Sequence, residues 1–293
     1  MSALRILHLS DTHVAGDGGR HYGVVDTAEH LQRALAHVQR LNIDLVVVSG
    51  DVSDDGSEES YRQIQDAVTG WAAGHGARAV FAMGNHDDRA GFRAVLGGGQ
   101  PGADETVLGG DDPARPVASV AEHDGWRVVV LDSSVPGAGY GTLEPEQLQF
   151  LRDAIAAPSA HGTIVIVHHP PVRAQTDLLQ ALALDEYDAR DFIEVVRASD
   201  VRVVLSGHYH HPIVEVVAGV PVVVAPGVTN VARAFEDPNE ESALDAFGGT
   251  YIEIDGDHVR TVPFTEPLTP VEVVFHLDAD VVAQVIRDAG RQS

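Results

Sequence analysis

An α/β fold is predicted by two features of the sequence. Short, unbroken apolar runs such as 44–49 recur along the chain, and runs of this kind are typical of parallel strands covered on both faces. Between the first three runs lie segments with helical periodicity, including one that places Leu31, Leu35 and Val38 on one face. The order strand, helix, strand, helix, strand indicates a βαβαβ unit with right-handed crossovers.

Three strands and three helices are predicted in the first part of the chain. The strands cover residues 4–10, 44–49 and 78–83, and the helices cover 26–42, 57–73 and 88–96. Asp26 with Glu29 has the pattern of a capping box, and Ser57 opens the second helix. Residues 97–116 are rich in Gly, Pro and Asp and predict an irregular surface loop.

The rest of the chain is predicted to be mainly β-structure. A hairpin is expected from 117–122 and 126–132 with its turn at 123–125, followed by strands at 163–167, 201–205, 213–217, 220–225, 249–254 and 259–264. Helices are expected over 145–157, 189–198 and 278–289.

The composition excludes several kinds of site. The 293 residues include no cysteine, which excludes disulfides, thiolate metal sites and cysteine nucleophiles. All 19 basic residues are arginine, so a P-loop lysine and a Schiff-base lysine are excluded too. The net charge of −25 disfavours a nucleic acid polymer as partner. No apolar run approaches the ~18 residues of a transmembrane segment and the N-terminus lacks a signal peptide, so we expect a cytoplasmic protein.

Five of the predicted strands are followed by side chains that can bind metal ions. These side chains belong to Asp11, His13, Asp51, Asn85, His86, His168, His208 and His210. Ligands of open α/β sheets collect at the carboxyl ends of the strands, so five such endings predict one shared site. The spacing of Asp11 and His13, repeated by His208 and His210, would point both members of each pair to one side of an extended chain.

The number of candidate ligands predicts two metal ions. Without His86 there are seven candidate ligands, which is more than one zinc-like ion binds. Two ions bridged by a carboxylate would use all seven. Nitrogen and oxygen ligands without sulfur suit Fe, Mn, Zn or Co as divalent or trivalent ions, and the sequence does not choose among them.

An ordered set of motifs across residues 4–211 resembles the calcineurin-like metallophosphoesterases. The motifs are Asp11-x-His13, Gly50-Asp51, Gly84-Asn85-His86-Asp87, His168-His169-Pro170-Pro171 and Gly207-His208-x-His210. Finer features, including residues 10–13 and 131–137, resemble the bacterial class III cyclic-nucleotide phosphodiesterases. The resemblance implies a four-layer αββα sandwich of two mixed β-sheets flanked by helices. We expect this catalytic domain over residues 1–265, with an extension over 266–293 that packs on the domain or on a dimer partner.

The resemblance also implies a role for each residue of the site. One ion would be held by Asp11, His13, Asp51 and His210, and the other by Asp51, Asn85, His168 and His208. Asp51 would therefore bridge the ions. His86 would face the substrate phosphate or leaving group as a catalytic residue, and Asp87 would orient the His86 ring.

The expected function is a dinuclear-metal-dependent phosphodiester hydrolase. Two ions would lower the pKa of a bound water from about 15.7 towards about 7, and the resulting metal-bridging hydroxide would attack phosphorus in line. The subgroup resemblance favours a 3',5'-cyclic nucleotide such as cAMP as the small phosphodiester substrate, and a homodimer is possible. A broad-specificity phosphodiesterase or phosphomonoesterase acting on nucleotides or glycerophosphodiesters is the alternative. A metal-binding scaffold without catalysis is a third reading.

Several residues near the motifs have more than one interpretation. His8 is interpreted as a packed histidine and Asp54 as a solvated loop charge. Arg89 either contacts phosphate or pairs with Asp87 or Asp88. His21 and Tyr22 either flank the pocket or belong to a plain loop, while His169 and His211 are assigned structural or supporting positions. No role follows from the sequence for loops 14–25, 133–141, 172–188 and 228–248, of which the acidic part 235–247 is either mobile or a lid.

Overall fold

Two β-sheets face each other at the centre of the structure, a computed structural model that describes residues 3–110, 112, 114–235 and 240–269. The strands are β1 Leu4–Leu9, β2 Leu45–Ser49, β3 Arg78–Ala82, β4 Thr106–Val107, β5 Ser119–His123, β6 Trp126–Leu131, β7 Gly162–Val167, β8 Val201–Ser206, β9 Ile213–Val217, β10 Val220–Val224, β11 Val231–Ala232, β12 Ala243–Leu244, β13 Ala246–Asp255 and β14 His258–Pro267. The helices are α1 Thr27–His37, α2 Glu58–Gly74, α3 Arg89–Leu96, α4 Pro145–Ala154, α5 Asp177–Ala181 and α6 Glu186–Val196.

Both large sheets are mixed. The five-stranded sheet has the order β14-β13-β1-β2-β3, in which β1, β2 and β3 are parallel and β13 and β14 antiparallel. The seven-stranded sheet has the order β4-β5-β6-β7-β8-β10-β9, with β6, β7, β8 and β10 parallel. The strands β11 and β12 form a separate antiparallel pair. The predicted βαβαβ unit thus supplies three adjacent strands of the first sheet, with β3 at its edge.

Three hydrophobic cores separate four layers. Alternate residues of β2 explain why the strand is apolar throughout, because Val46 packs with α1 and α2 while Val47 faces the second sheet. The second core therefore lies between the sheets, where Val47 meets Val130 and Ile166. A third core lies between the seven-stranded sheet and the helices α4 and α6. This arrangement confirms the predicted four-layer sandwich of two mixed sheets flanked by helices.

The structure differs from the predicted elements in one helix boundary, in several short elements and in the length of a turn. Helix α6 begins three residues earlier than expected because Asp185 caps it, accepting hydrogen bonds from two backbone N–H groups. The short helix α5 and the strand pairs made by β4, β11 and β12 lie in predicted loops. The hairpin turn contains only Asp124 and Gly125, both with positive φ (51° and 86°), so His123 belongs to strand β5.

The predicted C-terminal helix at 278–289 lies outside the described residues, and so does most of the predicted extension from 266. The division of the chain at residue 265 stays a prediction. No helix within the described residues combines the length and the apolarity needed to cross a membrane.

Arg89 joins the helix α3 to the second sheet, which corrects both sequence interpretations of this residue. Its Nε donates to Asp132 Oδ2 at 2.8 Å, and its other nitrogens donate to the carbonyl oxygens of Ala114 and Ser134. Asp132 is fully buried and also accepts from the backbone N–H groups of Val117 and Ser134. Arg89 is therefore a structural residue that holds the loop after β6.

We expect Asp132→Ala to destabilise the fold by about 3–5 kcal/mol, because it leaves the mostly buried Arg89 guanidinium without its carboxylate. Urea unfolding followed by circular dichroism measures this change. The exposed pair of Arg33 with Glu29 is the control, and Glu29→Ala should cost less than about 1 kcal/mol. Equal effects of the two substitutions would contradict the structural role of Arg89.

Candidate metal centre and active site

The side chains predicted at the strand ends converge at one edge of the two sheets. Asp51 Oδ2 lies 3.5 Å from His13 Nε2 and 3.4 Å from His168 Nε2, so one carboxylate joins the ends of β1, β2 and β7. Asp11 Oδ1 lies 3.4 Å from His210 Nε2, which adds the end of β8. Other predicted members, Asn85, His86 and His208, line the same cavity as His13, Asp51 and His210.

The backbone of five of the predicted ligands adopts a left-handed conformation that the sequence did not indicate. Asp11, His13, Asp51, His208 and His210 all have positive φ, between 44° and 70°. An extended chain was expected to point the members of each i, i+2 pair to one side, and that premise is wrong. The left-handed conformation is uncommon for residues other than glycine and costs free energy, so its recurrence here marks the segments as shaped for the site.

Two glycines of the motifs leave space for the site residues. A Cβ at Gly84 would overlap Asp51 Oδ1 and would lie 2.8 Å from His168 Nε2. A Cβ at Gly50 would overlap the ring of His168. The missing side chain is what matters at both positions, because a Cβ would collide with the backbone or side chains of the predicted ligands.

Burial sets the protonation of several imidazoles. It lowers the pKa of His13 to about 4 and the pKa of His208 to about 3, so both rings are neutral near pH 7 and keep a lone pair for a metal ion. Burial also opposes the charged form of His168, but the carboxylates of Asp51 and Asp11 outweigh it and raise its pKa to about 9. A cation bound at His168 would replace this proton, because both need the same lone pair.

The donor set fits metal ions. Three buried atoms of the predicted ligands have no hydrogen-bond partner among the described residues, namely His13 Nε2, His168 Nε2 and Asn85 Oδ1. An unpaired buried polar atom is costly, and a cation would satisfy all three. In the part of the chain that the structure describes, His, Asp and Glu ligand atoms close enough to share an ion occur in four groups: Asp11 with His13 and His210, Asp11 with Asp51 and His168, His13 with Asp54 and His86, and His168 with His169 and His208.

Hydrogen bonds fix the orientation of the predicted ligands. His168 Nδ1 lies 2.9 Å from the carbonyl oxygen of Ser49, which leaves Nε2 for the site. His210 Nδ1 lies 2.9 Å from Asn230 Oδ1, and His208 Nε2 lies 2.9 Å from the carbonyl oxygen of Leu182. Contacts of this kind hold metal-binding histidines in one tautomer and one ring orientation. Asn230 was missed in the sequence because it follows β10 in a loop without a recognisable motif.

Asp54 is an integral part of the site, and its interpretation as a solvated loop charge is wrong. Its Oδ1 lies 3.2 Å from His13 Nδ1, 3.0 Å from His21 Nδ1 and 3.4 Å from His86 Nδ1. Burial by itself would raise the pKa of Asp54, but these three imidazoles hold it well below its usual range. Hydrogen bonding to Asp54 in turn raises the pKa of His86 to about 9.

Asp87 does not contact the His86 ring through a hydrogen bond, so the orienting contact expected of Asp87 is supplied by Asp54. The Asp87 carboxylate accepts hydrogen bonds from the backbone N–H groups of Val52, Ser53 and Gly84 at 2.8–3.1 Å. It thereby joins the loop after β2 to the loop after β3. Burial raises the pKa of Asp87 to about 7. Any catalytic role of Asp87 stays a prediction.

The structure also settles the positions of His21, His169 and His8, for which the sequence allowed more than one interpretation or only a supporting one. His21 is buried, and its ring centroid lies 4.5 Å from that of His13, so His21 and the adjacent Tyr22 flank the pocket. His169 Nδ1 lies 2.8 Å from Ser133 Oγ, which makes it a supporting residue beside His168. His8 packs between the sheets, with Nε2 2.8 Å from Ser49 Oγ, as expected.

Five of the seven predicted ligands form the floor of a cavity of about 550 Å³, namely His13, Asp51, Asn85, His208 and His210. Its outer walls come from the loop 14–25, from the segment containing α5, and from β11 and β12 with the residues before and after β12. Loops without a predicted role therefore surround the site. Thr176 Oγ1 donates to Glu241 Oε2 at 2.6 Å and joins two of these walls.

A cluster of imidazoles, carboxylates and an amide at the carboxyl edge of two facing sheets is a donor set that suits metal ions. The sequence pattern of the calcineurin-like phosphoesterases matches residues 4–212, and the chain belongs to this family. It is thus a metallophosphoesterase of a dimetal family, which confirms the resemblance drawn from the motifs.

Within this family, the chain is similar to several bacterial phosphodiesterases of cyclic nucleotides. The chain is 39% identical over 222 residues to a probable cyclic nucleotide phosphodiesterase of Rhodococcus erythropolis, covering 75% of this chain and 69% of that protein. It is 37% identical to a cAMP/cGMP dual specificity phosphodiesterase of Mycobacterium tuberculosis, covering 75% and 66%. A 3',5'-cyclic adenosine monophosphate phosphodiesterase of Pseudomonas aeruginosa is 34% identical, with 71% and 70% covered.

A solved structure supports the fold. A dimetal phosphatase from Danio rerio superposes with a TM-score of 0.58 over 91% of this chain and 99% of that one. The two sequences are only 15% identical, so this similarity concerns the architecture alone.

The metal content of two variants should distinguish the role of Asn85 from that of the adjacent His86. We expect Asn85→Ala to lose about one of two bound ions, because its unpaired oxygen is a predicted ligand. His86→Ala should keep both ions and lower turnover, since the His86 ring is half-exposed and paired with Asp54. Elemental analysis of protein reloaded with Mn²⁺ measures the content. Loss of an ion from His86→Ala would contradict this division.

Substitutions of the two carboxylates near His86, Asp54 and Asp87, should have different effects on turnover and stability. Asp54→Asn is expected to lower kcat about 10–100-fold with little change in the unfolding free energy, because it weakens the orientation of His86. Asp87→Asn should instead lower the melting temperature. An NH₂ group would replace one carboxylate oxygen and would face backbone N–H groups that need an acceptor. Steady-state kinetics and thermal unfolding on both variants measure this. A larger loss of kcat in a stably folded Asp87→Asn would return the orienting role to Asp87.

Proposed function

We propose that the chain is a 3',5'-cyclic-nucleotide phosphodiesterase that acts on cAMP. The observation that carries this proposal is the identity of 34–39%, over 212–222 residues, with three relatives named for hydrolysis of cyclic nucleotides. The geometry supports the proposal because His13 and Asn85, which carry two of the three unpaired ligand atoms, line a cavity large enough for a mononucleotide.

Seven residues would hold the two ions. Asp11, His13, Asp51 and His210 would bind one ion, and Asp51, Asn85, His168 and His208 the other, with Asp51 shared. The identity of the ions stays open among Fe, Mn, Zn and Co. Bound there, the ions would neutralise the phosphodiester oxygens and lower the pKa of a bound water.

His86 acts on the substrate side of the centre. Its Nδ1 is held by Asp54, so Nε2 is the ring nitrogen available to the substrate. Hydrogen bonding to Asp54 raises the pKa of His86, which favours a proton on the ring. Nε2–H can therefore donate to the oxygen that leaves phosphorus and stabilise its developing charge.

The cavity argues against the broader alternatives. No arginine lines it within the described residues, so a dianionic phosphomonoester would find no guanidinium group to pair with its extra charge. The charge of −25 likewise disfavours a nucleic acid polymer. A scaffold without catalysis does not explain why the imidazole of His86 stays half-exposed beside a buried ligand cluster. A homodimer and a cytoplasmic location stay predictions.

A substrate panel tests the proposal. Protein stripped with a chelator and reloaded with Mn²⁺ should hydrolyse cAMP and bis(p-nitrophenyl) phosphate, but p-nitrophenyl phosphate only weakly. The stripped protein is the control and should be inactive on all three. Hydrolysis of the diester without hydrolysis of any cyclic nucleotide would contradict the substrate, and no diester hydrolysis with any of the four metals would contradict the enzyme.

A further inference from the structure

The mouth of the active-site cavity concentrates exposed apolar side chains. Eleven large apolar residues are exposed among the described residues, and four of them line this one cavity. They are Tyr22 (83% exposed), Val24 (63%), Leu178 (51%) and Leu244 (52%). They come from three separate segments, namely the loop 14–25, the helix α5 and the strand β12. Isolated exposed apolar residues are ordinary, whereas a group of them at the mouth of a site marks a binding surface.

Tyr22 is held in a conformation that its own chemistry disfavours. Tyr22 and Gly23 have φ of 51° and 72°, and Val24 N–H donates to the carbonyl oxygen of His21 at 3.1 Å. Two central residues with positive φ are typical of a type I′ turn, in which Asn-Gly is strongly preferred. A bulky aromatic residue at the first position is a conformational outlier. Such an outlier points to a function for the side chain rather than to a need of the turn.

The Tyr22 ring is supported from the catalytic side. Its centroid lies 4.2 Å from that of His21, and the buried His21 is anchored by Asp54. On another wall, the carbonyl oxygen of Leu182, just after α5, bonds to the predicted ligand His208. The apolar mouth is therefore fixed relative to the metal centre at two points, as a surface that positions a substrate requires.

The charges around the mouth limit what can bind there. Glu241 and Asp245 line the outer cavity together with the apolar residues, and no arginine does so within the described residues. A second anionic group on the substrate would be repelled. The complementary ligand is therefore an uncharged, flat group attached to the single phosphodiester that the floor binds.

We propose that the apolar mouth binds the base of the cyclic nucleotide, with Tyr22 as the residue on which the base stacks; this inference rests on the proposed function. Every base presents an apolar face, and stacking on an aromatic ring is strong enough to determine affinity. Tyr22 is thus a specificity-determining residue, while the chemistry at phosphorus belongs to the floor of the cavity.

The test compares cAMP with methyl ribofuranoside 3',5'-cyclic phosphate, which carries a methoxy group in place of the base. In Tyr22→Asn the ratio of kcat/KM for cAMP to kcat/KM for the abasic compound should fall about tenfold, mainly through KM. Tyr22→Phe should keep the wild-type ratio. Tyr187→Ala, which removes an exposed tyrosine remote from the cavity, is the matched control and should also keep it.

Thermal unfolding separates this role from a structural one. Because Asn suits the turn better than Tyr, Tyr22→Asn should unfold at the same or a higher temperature than the wild type. An unchanged ratio in Tyr22→Asn, or an equal loss on both substrates, would overturn the inference. Failure of the wild type to hydrolyse cyclic nucleotides would overturn the proposed function instead, and with it the ligand assigned to the mouth.

Discussion

Two buried carboxylates impose the constraint on which the rest of the site depends. Asp11 is fully buried and Asp51 is 2% exposed, and the charge of Asp51 acts on Asp11. Removing a carboxylate from water costs several kcal/mol unless positive charge lies beside it. In the structure the imidazoles of His168 and His210 meet this need, and their contact holds both carboxylate pKa values below the ordinary range. The same demand for positive charge is what makes the cluster a site for cations.

The backbone around these carboxylates is strained in a way that the sheets can support. Each left-handed residue costs on the order of 1–3 kcal/mol, and five of the seven predicted ligands adopt this conformation. The segments are held by hydrogen bonds between strand ends, such as Asp11 N–H to Gly50 O and His13 N–H to Asp51 O, both 3.0 Å. The three cores beneath them keep the strands in place. The stability of the four-layer fold is therefore what allows the ligands to stay preorganised.

The strands and the ligand candidates could be predicted because their signals are local. Asp51 and His168 each follow an apolar run, and parallel strands bring such positions together. Asp54 could not be interpreted in this way, since nothing in its own neighbourhood shows that three imidazoles approach it from other segments. Asp87 was assigned to His86 because they are adjacent in the chain, whereas its oxygens accept hydrogen bonds from backbone N–H groups of two loops, its own and the loop after β2. Helix α5 has five residues, too few for a periodic pattern.

The overall charge of the protein explains why a polar floor and an apolar mouth belong together. At −25 the molecule repels an approaching phosphodiester at long range, so net charge cannot contribute to substrate capture. Ions held by the predicted ligands would reverse the sign of the field only locally, because salt screens it within about 8–10 Å. Affinity beyond that distance must come from contacts that do not depend on charge. Exposed apolar side chains supply such contacts, and they matter most where an acidic surface offers the substrate nothing else.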